Sequence, residues 1–298
     1  MGINVTEKSI SELLGLPTDI SELDITKRGS FAKVAFNLYR ETAIVTIVVS
    51  HLCESANPTE LSLSRNQAIE AGLAVRITKY MGAILALQLD KVREHGEVIM
   101  SLNRCISESA VNLMFFAEKA TDEDYDEFVK SSLKPERNQY RLIQENIARR
   151  GKELPIETRI LSSINRTFEN SGVKSIDELN KIPKRKNYEE ILRILEMDSA
   201  YPMLQGVPSH SIHGTWVDLV SHHLEKMGSG FRPHPESVIQ DPRLFCPISI
   251  LVLYAMRSYV NKNFPATHKG IAALLARIED LIERDTQVDA LHEDSLSR

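Results

Sequence analysis

The chain has 298 residues, with 36 Lys and Arg against 41 Asp and Glu and a net charge of −5. That balance gives no general attraction to phosphate backbones or anionic lipids, so a nucleic acid would have to meet a local basic patch. Hydrophobic residues make up 42%, and only 13 Gly and 12 Pro punctuate the chain, which favours long helices over a turn-rich β fold.

Apolar residues recur at spacings of three and four almost throughout, and clean alternation is scarce. The N-terminal "MGINVTEKSISELLG" has no apolar h-region and does not read as a secretory signal. A short helix is expected near 6–14, and a long one runs from Ser30 to about Ser55, where Asn57-Pro58 stops it. The third helix runs from about Leu61 to His95 with Gly96 as its stop signal. Cys53, Cys105 and Cys246 are isolated in apolar helical stretches and form no C-x-x-C pair, the usage of a reducing, cytoplasmic setting.

The fourth helix, "EVIMSLNRCISESAVNLMFFAEK" (97–119), is apolar on nearly every side and reads as buried. Arg104, Glu108 and Asn112 follow one another at i, i+4 and i+8, so a polar stripe is embedded in the bundle. Buried charges are costly unless paired or used. The stripe is therefore either an intrahelical ion pair or a functional polar site.

Thr121 and Asp124 form a variant capping box that opens a charged helix. Pro135 interrupts that helix, which resumes over 136–150 and ends at Gly151. Helices are predicted over 155–170, 175–181 and 187–197. Between the last two, "KIPKRKNY" gathers Lys184, Arg185 and Lys186 beside Tyr188; such runs are mostly solvated loops, yet this is the main basic patch on offer.

The segment "AYPMLQGVPSHSIHGTW" (200–216) leads into a helix predicted over 209–226. If Ser209 caps it, then His210, His213, Val217, Val220 and Leu224 continue one seam toward a neighbouring helix. Gly214 clears space beside His213. His210-x-x-His213 could supply two metal ligands, and Asp218-x-x-x-His222 another pair, but no H-E-x-x-H element is present. No metal and no cofactor are expected. The stretch "GSGFRPHPESVIQDP" (228–242) reads as a loop, helices follow at 242–263 and 267–285, and the last dozen residues read as frayed. The apolar runs 42–53 and 244–256 fall short of the roughly 18 residues a membrane span needs and read as core helices.

The whole is an all-α, multi-helix bundle read as one domain over 1–298, its motif-bearing core at about 75–225 and helices 242–285 packed on it.

Together, "NRCISESAVNLMFF" and "AYPMLQGVPSHSIHG" resemble an uncharacterised helical family of bacteria and archaea. Its members pair an R-x-x-x-E-x-x-x-N-like helix with a later Tyr…Ser…His-Gly segment. The matching positions are Arg104, Glu108 and Asn112, then Tyr201, Ser209, His213 and Gly214. That family resembles the HEPN (higher eukaryote and prokaryote nucleotide-binding) bundles, many of which are metal-independent ribonucleases of toxin and phage-defence systems, usually dimeric. The resemblance implies a HEPN-like core with Arg104, Glu108, Asn112 and His213 as catalytic residues. Tyr201, Ser209, His210, Lys184, Arg185 and Lys186 would contact RNA or a nucleotide, and a homodimer or protein partner is expected.

HEPN ribonucleases carry Arg and then His after four to six intervening residues, a pair this chain lacks. Cleavage would require Arg104 and His213 to meet from separate helices, the imidazole taking the 2′-hydroxyl proton and the guanidinium stabilising phosphorane charge. Two other readings stand beside it: a non-catalytic scaffold or sensor acting through partners, and a metal-dependent hydrolase on His210, His213 and a carboxylate.

Overall fold

The computed structural model describes residues 12–21, 23, 28–55, 63–89, 95–180, 184–235, 242–264 and 269–296. Most of the helix expected near 6–14, the Asn57-Pro58 stop and part of the 228–242 loop lie outside them. The described chain is all-α apart from one small hairpin. It forms two compact units, one from 1–119 with 188–298 and the other from 120–187.

In the first unit α1 (Arg28–Ser55), α2 (Arg65–Gln88), α3 (Gly96–Glu118), α9 (Phe245–Asn263) and α10 (Lys269–Leu296) enclose the core. Helix α9 packs against α1, α3 and α10, while α2 packs on α1 and α3. The sequence explains why α9 sits inside. "FCPISILVLYAM" offers no charged face, and Cys246, Val252, Leu253, Ala255, Met256 and Val260 are fully buried. Among the described residues only the stretch Pro242–Asn263 is long and apolar enough to cross a membrane, and 67% of its most apolar window is buried in this core.

Helix α2 opens on a capping box in which Gln67 N–H donates to Ser64 Oγ and Ser64 N–H donates to Gln67 Oε1. Gly96 does not stop this helix. It is the buried first residue of α3, a position where glycine costs less than in a helix interior.

The second unit holds α4 (Asp122–Ser132), α5 (Lys134–Arg150), α6 (Pro155–Asn170) and a 3₁₀ turn at Ile176–Leu179. Leu133, Ile164, Phe168, Val173 and Leu179 form its core. Thr121 N–H and Oγ1–H both donate to Asp124 Oδ2 at 2.9 Å, completing the expected capping box. Pro135 stands in the first turn of α5, where its missing N–H costs nothing. Gly151 ends that helix at φ +76°.

Three expectations near the C-terminal half are corrected. The helix predicted over 209–226 is broken into α8 (Val207–His213), a single turn at Trp216–Asp218 and a π turn at Leu219–His223. The break follows from Gly214 at φ +55°, which closes α8 with its N–H on the His210 carbonyl. The loop expected from 228 begins inside a hairpin, β1 (Leu224–Met227) with β2 (Gly230–Pro233). Gly228, at φ +57°, supplies its tight turn. The tail expected to fray from Val288 instead continues α10 as far as Leu296, with Val288 fully buried on its seam, and residues 297–298 lie outside the described residues.

Candidate functional site

Three elements meet along the polar stripe of α3: α7 (Tyr188–Ile194), the π turn Pro202–Gly206 and α8. Arg104 lies under them with 14% of its side chain exposed and bonds Glu108 at 3.0 Å, itself 37% exposed. Its Nε donates to Gln205 Oε1 at 3.3 Å, tying α3 to the π turn. Nη1 makes no hydrogen bond to a described residue, so the guanidinium keeps N–H groups for a ligand. Asn112 is buried and turns its amide back to the Glu108 carbonyl at 2.6 Å.

Tyr188 and Tyr201 face one another across this stripe with ring centroids 6.4 Å apart. The Tyr188 hydroxyl is buried without a hydrogen-bond partner among the described residues. Burial pushes its phenol well up from the ordinary value, the Glu108 charge adds to the rise and Arg104 opposes it.

The histidines separate in role. His210 is half-buried and its Nδ1 shares a hydrogen bond with Thr215 Oγ1 at 2.7 Å, which fixes the ring across the Gly214 bend. His213 is exposed and makes no hydrogen bond or ion pair to a described residue. The structure therefore brings Arg104, Glu108 and Asn112 to the segment that carries both histidines, and it gives Arg104 the partner Gln205 rather than His213. Ser209 is half-buried inside α8 and caps nothing, since the π turn runs directly into that helix. Val217 and Val220 are exposed, so the seam drawn through them is absent.

Asp218 contacts His223 Nε2 at 3.4 Å, not the His222 with which it could have formed a ligand pair. A π turn places residue i+5 over residue i, where an α-helix would place i+4. Among the described residues no three His, Cys, Asp or Glu side chains gather to hold a metal ion.

Lys184, Arg185 and Lys186 belong to the second unit. There Lys186 bonds Asp124, whose pull raises the ammonium's pKa, and Arg185 lies over the Phe128 ring at 4.5 Å.

Gln205 and the unpartnered Tyr188 hydroxyl were not singled out by sequence reasoning. A signal for the first exists in "LQGVP". Pro208 has no N–H to return to the Leu204 carbonyl, so a regular α ladder cannot run through that turn.

A protein family described as a family of unknown function, DUF5677, matches residues 67–231. The matched span runs from α2 into the second strand of the hairpin and takes in Arg104, Tyr188, Gln205, His210 and His213. No curated protein and no solved structure matches the chain.

Proposed function

The chain belongs to the DUF5677 family of unknown function, and from that premise we propose that the Arg104 site receives the phosphate of an RNA strand or nucleotide, as HEPN-like bundles would. One observation carries the reading. A mostly buried arginine is oriented by Glu108 and Gln205 yet keeps Nη1 uncommitted among the described residues. An oriented guanidinium fork is suited to phosphate oxygens. The exposed His213 is the proton acceptor in this scheme. It takes the ribose 2′-hydroxyl proton as that oxygen attacks the adjacent phosphorus, the 5′-oxygen leaves with a proton from water, and Arg104 stabilises the charge between. No metal takes part in these steps.

In this reading the protein is cytoplasmic, a setting supported by free Cys105 and Cys246, and it acts as a homodimer or with a protein partner. The test is cleavage of a fluorescent single-stranded RNA in the presence of EDTA. Wild type cleaves it, whereas Arg104→Gln and His213→Ala do not while melting like wild type. Full cleavage by both variants overturns the assignment.

A second reading, a non-catalytic scaffold, is supported by Asn112 spending its amide on its own helix and by Glu108 neutralising Arg104. It requires no RNA binding and a lower melting temperature for Arg104→Gln.

A further inference from the structure

Behind the π turn, on the C-terminal side of the first unit, lies a cavity of about 630 Å³. Met203 and Leu204 form part of one wall, Leu244 and Leu251 part of another, and Tyr254 and Asp289 add polar atoms. We propose that this cavity is a binding site for a small uncharged amphipathic molecule, an apolar body with a hydroxyl or amide head, and that its occupancy is coupled to the Arg104 site through the π turn.

The volume falls within the range of small-molecule pockets, and walls that are mostly apolar with a few polar groups are the usual composition of such sites. Arg243 and Asp289 both reach the cavity. The Arg243 and Asp289 charges oppose one another and the His292 imidazole, which also lines the cavity, can donate or accept, so a head able to donate and accept suits the lining best. Methionine at position 203 adapts its shape to different bodies.

Coupling follows from chain order. Met203 and Leu204 line the cavity, and the next residue, Gln205, accepts the Arg104 Nε–H bond. All three sit on one π turn, a winding that is rare and recurs at functional sites. A molecule pressing on Met203 and Leu204 therefore moves the group that orients Arg104. Linkage makes this reciprocal: breaking the Arg104–Gln205 bond must alter affinity in the cavity.

The test uses the full chain and the uncharged fluorophore N-phenyl-1-naphthylamine. We expect saturable binding of one probe per chain, displaced by 1-decanol and more weakly by decanoate or decylamine. Ala200→Phe, which fills the cavity from a half-exposed wall position, abolishes binding while the circular dichroism spectrum and melting temperature hold. Phe231→Ser, which trims the separate exposed apolar surface of the hairpin, leaves binding intact. Equal binding by wild type and Ala200→Phe, or loss in Phe231→Ser, overturns the site. Gln205→Ala shifts probe affinity by about fivefold or more; an unchanged affinity overturns the coupling.

Discussion

Arg104 reaches 101 residues along the chain to place its Nε–H on the amide oxygen of Gln205. That single bond joins the middle of α3 to a turn wound at a different pitch from the helices around it. Gln205→Ala removes the acceptor from a partly buried donor. We expect a loss of about 1 kcal/mol in urea unfolding, accompanied by weaker RNA or nucleotide binding. Unchanged stability and unchanged binding would show the bond to be idle.

Gly214 adopts φ +55° with open space around its missing side chain. Gly214→Ala therefore tests backbone conformation alone, without a steric clash. Its expected cost is about 1 kcal/mol, read by chemical denaturation. An alanine variant as stable as wild type would remove the left-handed end of α8.

Glu41 on α1 accepts bonds from both Arg284 and the Thr18 backbone, with Arg277 also paired to it. Burial works to raise its pKa, and these partners together outweigh burial and hold it below the ordinary carboxylate range. The stability it contributes is thus complete above the unfolded value of about 4.3 and is lost as pH falls through the lower folded value. Glu41→Gln should flatten that acid limb and cost about 1–3 kcal/mol near neutrality, since it leaves the mostly buried Arg284 and Arg277 to share the more exposed Asp280. Melting temperatures across pH 2 to 7 are the measurement, and parallel curves for both proteins would defeat the prediction.

Asp285 gives the opposite sign. Burial pushes its carboxyl well up, offset in part by the Cys246 thiol and the Arg284 charge. Its contribution is complete below the unfolded pKa of about 3.9 and declines as pH rises toward the raised folded value. Asp285→Asn should be more stable than wild type at the alkaline end of that window and indistinguishable at its acid end. Equal stability throughout would show that Asp285 titrates normally.

In the second unit Asp124 receives Thr121 N–H, Thr121 Oγ1–H and Lys186. Asp124→Ala should cost roughly 1–2 kcal/mol and speed amide exchange at the start of α4. Protection equal to wild type would assign the capping no weight.

The all-α class, the buried α9 and the Thr121 capping box were legible because each rests on local rules of period, charge and side-chain reach. The stripe of Arg104, Glu108 and Asn112 was legible for the same reason, since three residues on one α-helix share a face by geometry alone. The segment 201–233 resisted. The Gly214 break and the π turn after it end the period that a helical reading extrapolates, so Val217 and Val220 pointed outward and Asp218 met His223. Gln205 as Arg104's partner depended on tertiary packing across 101 residues, which no local pattern encodes. The hairpin was hidden because Gly228-Ser229 sits between strands too short to alternate visibly.

The π turns at 202–206 and 219–223 also bear on how this region changes by mutation. Each holds one residue more than α winding would use, so in genetic terms it is equivalent to a single-codon insertion absorbed without unravelling the segment. Removing Ser221 would rewind the second turn to α pitch and keep His223 over Asp218, now four residues on instead of five. A reading-frame-preserving triplet deletion, harmful in most helices, would here restore the regular winding and leave the Asp218–His223 partnership in place.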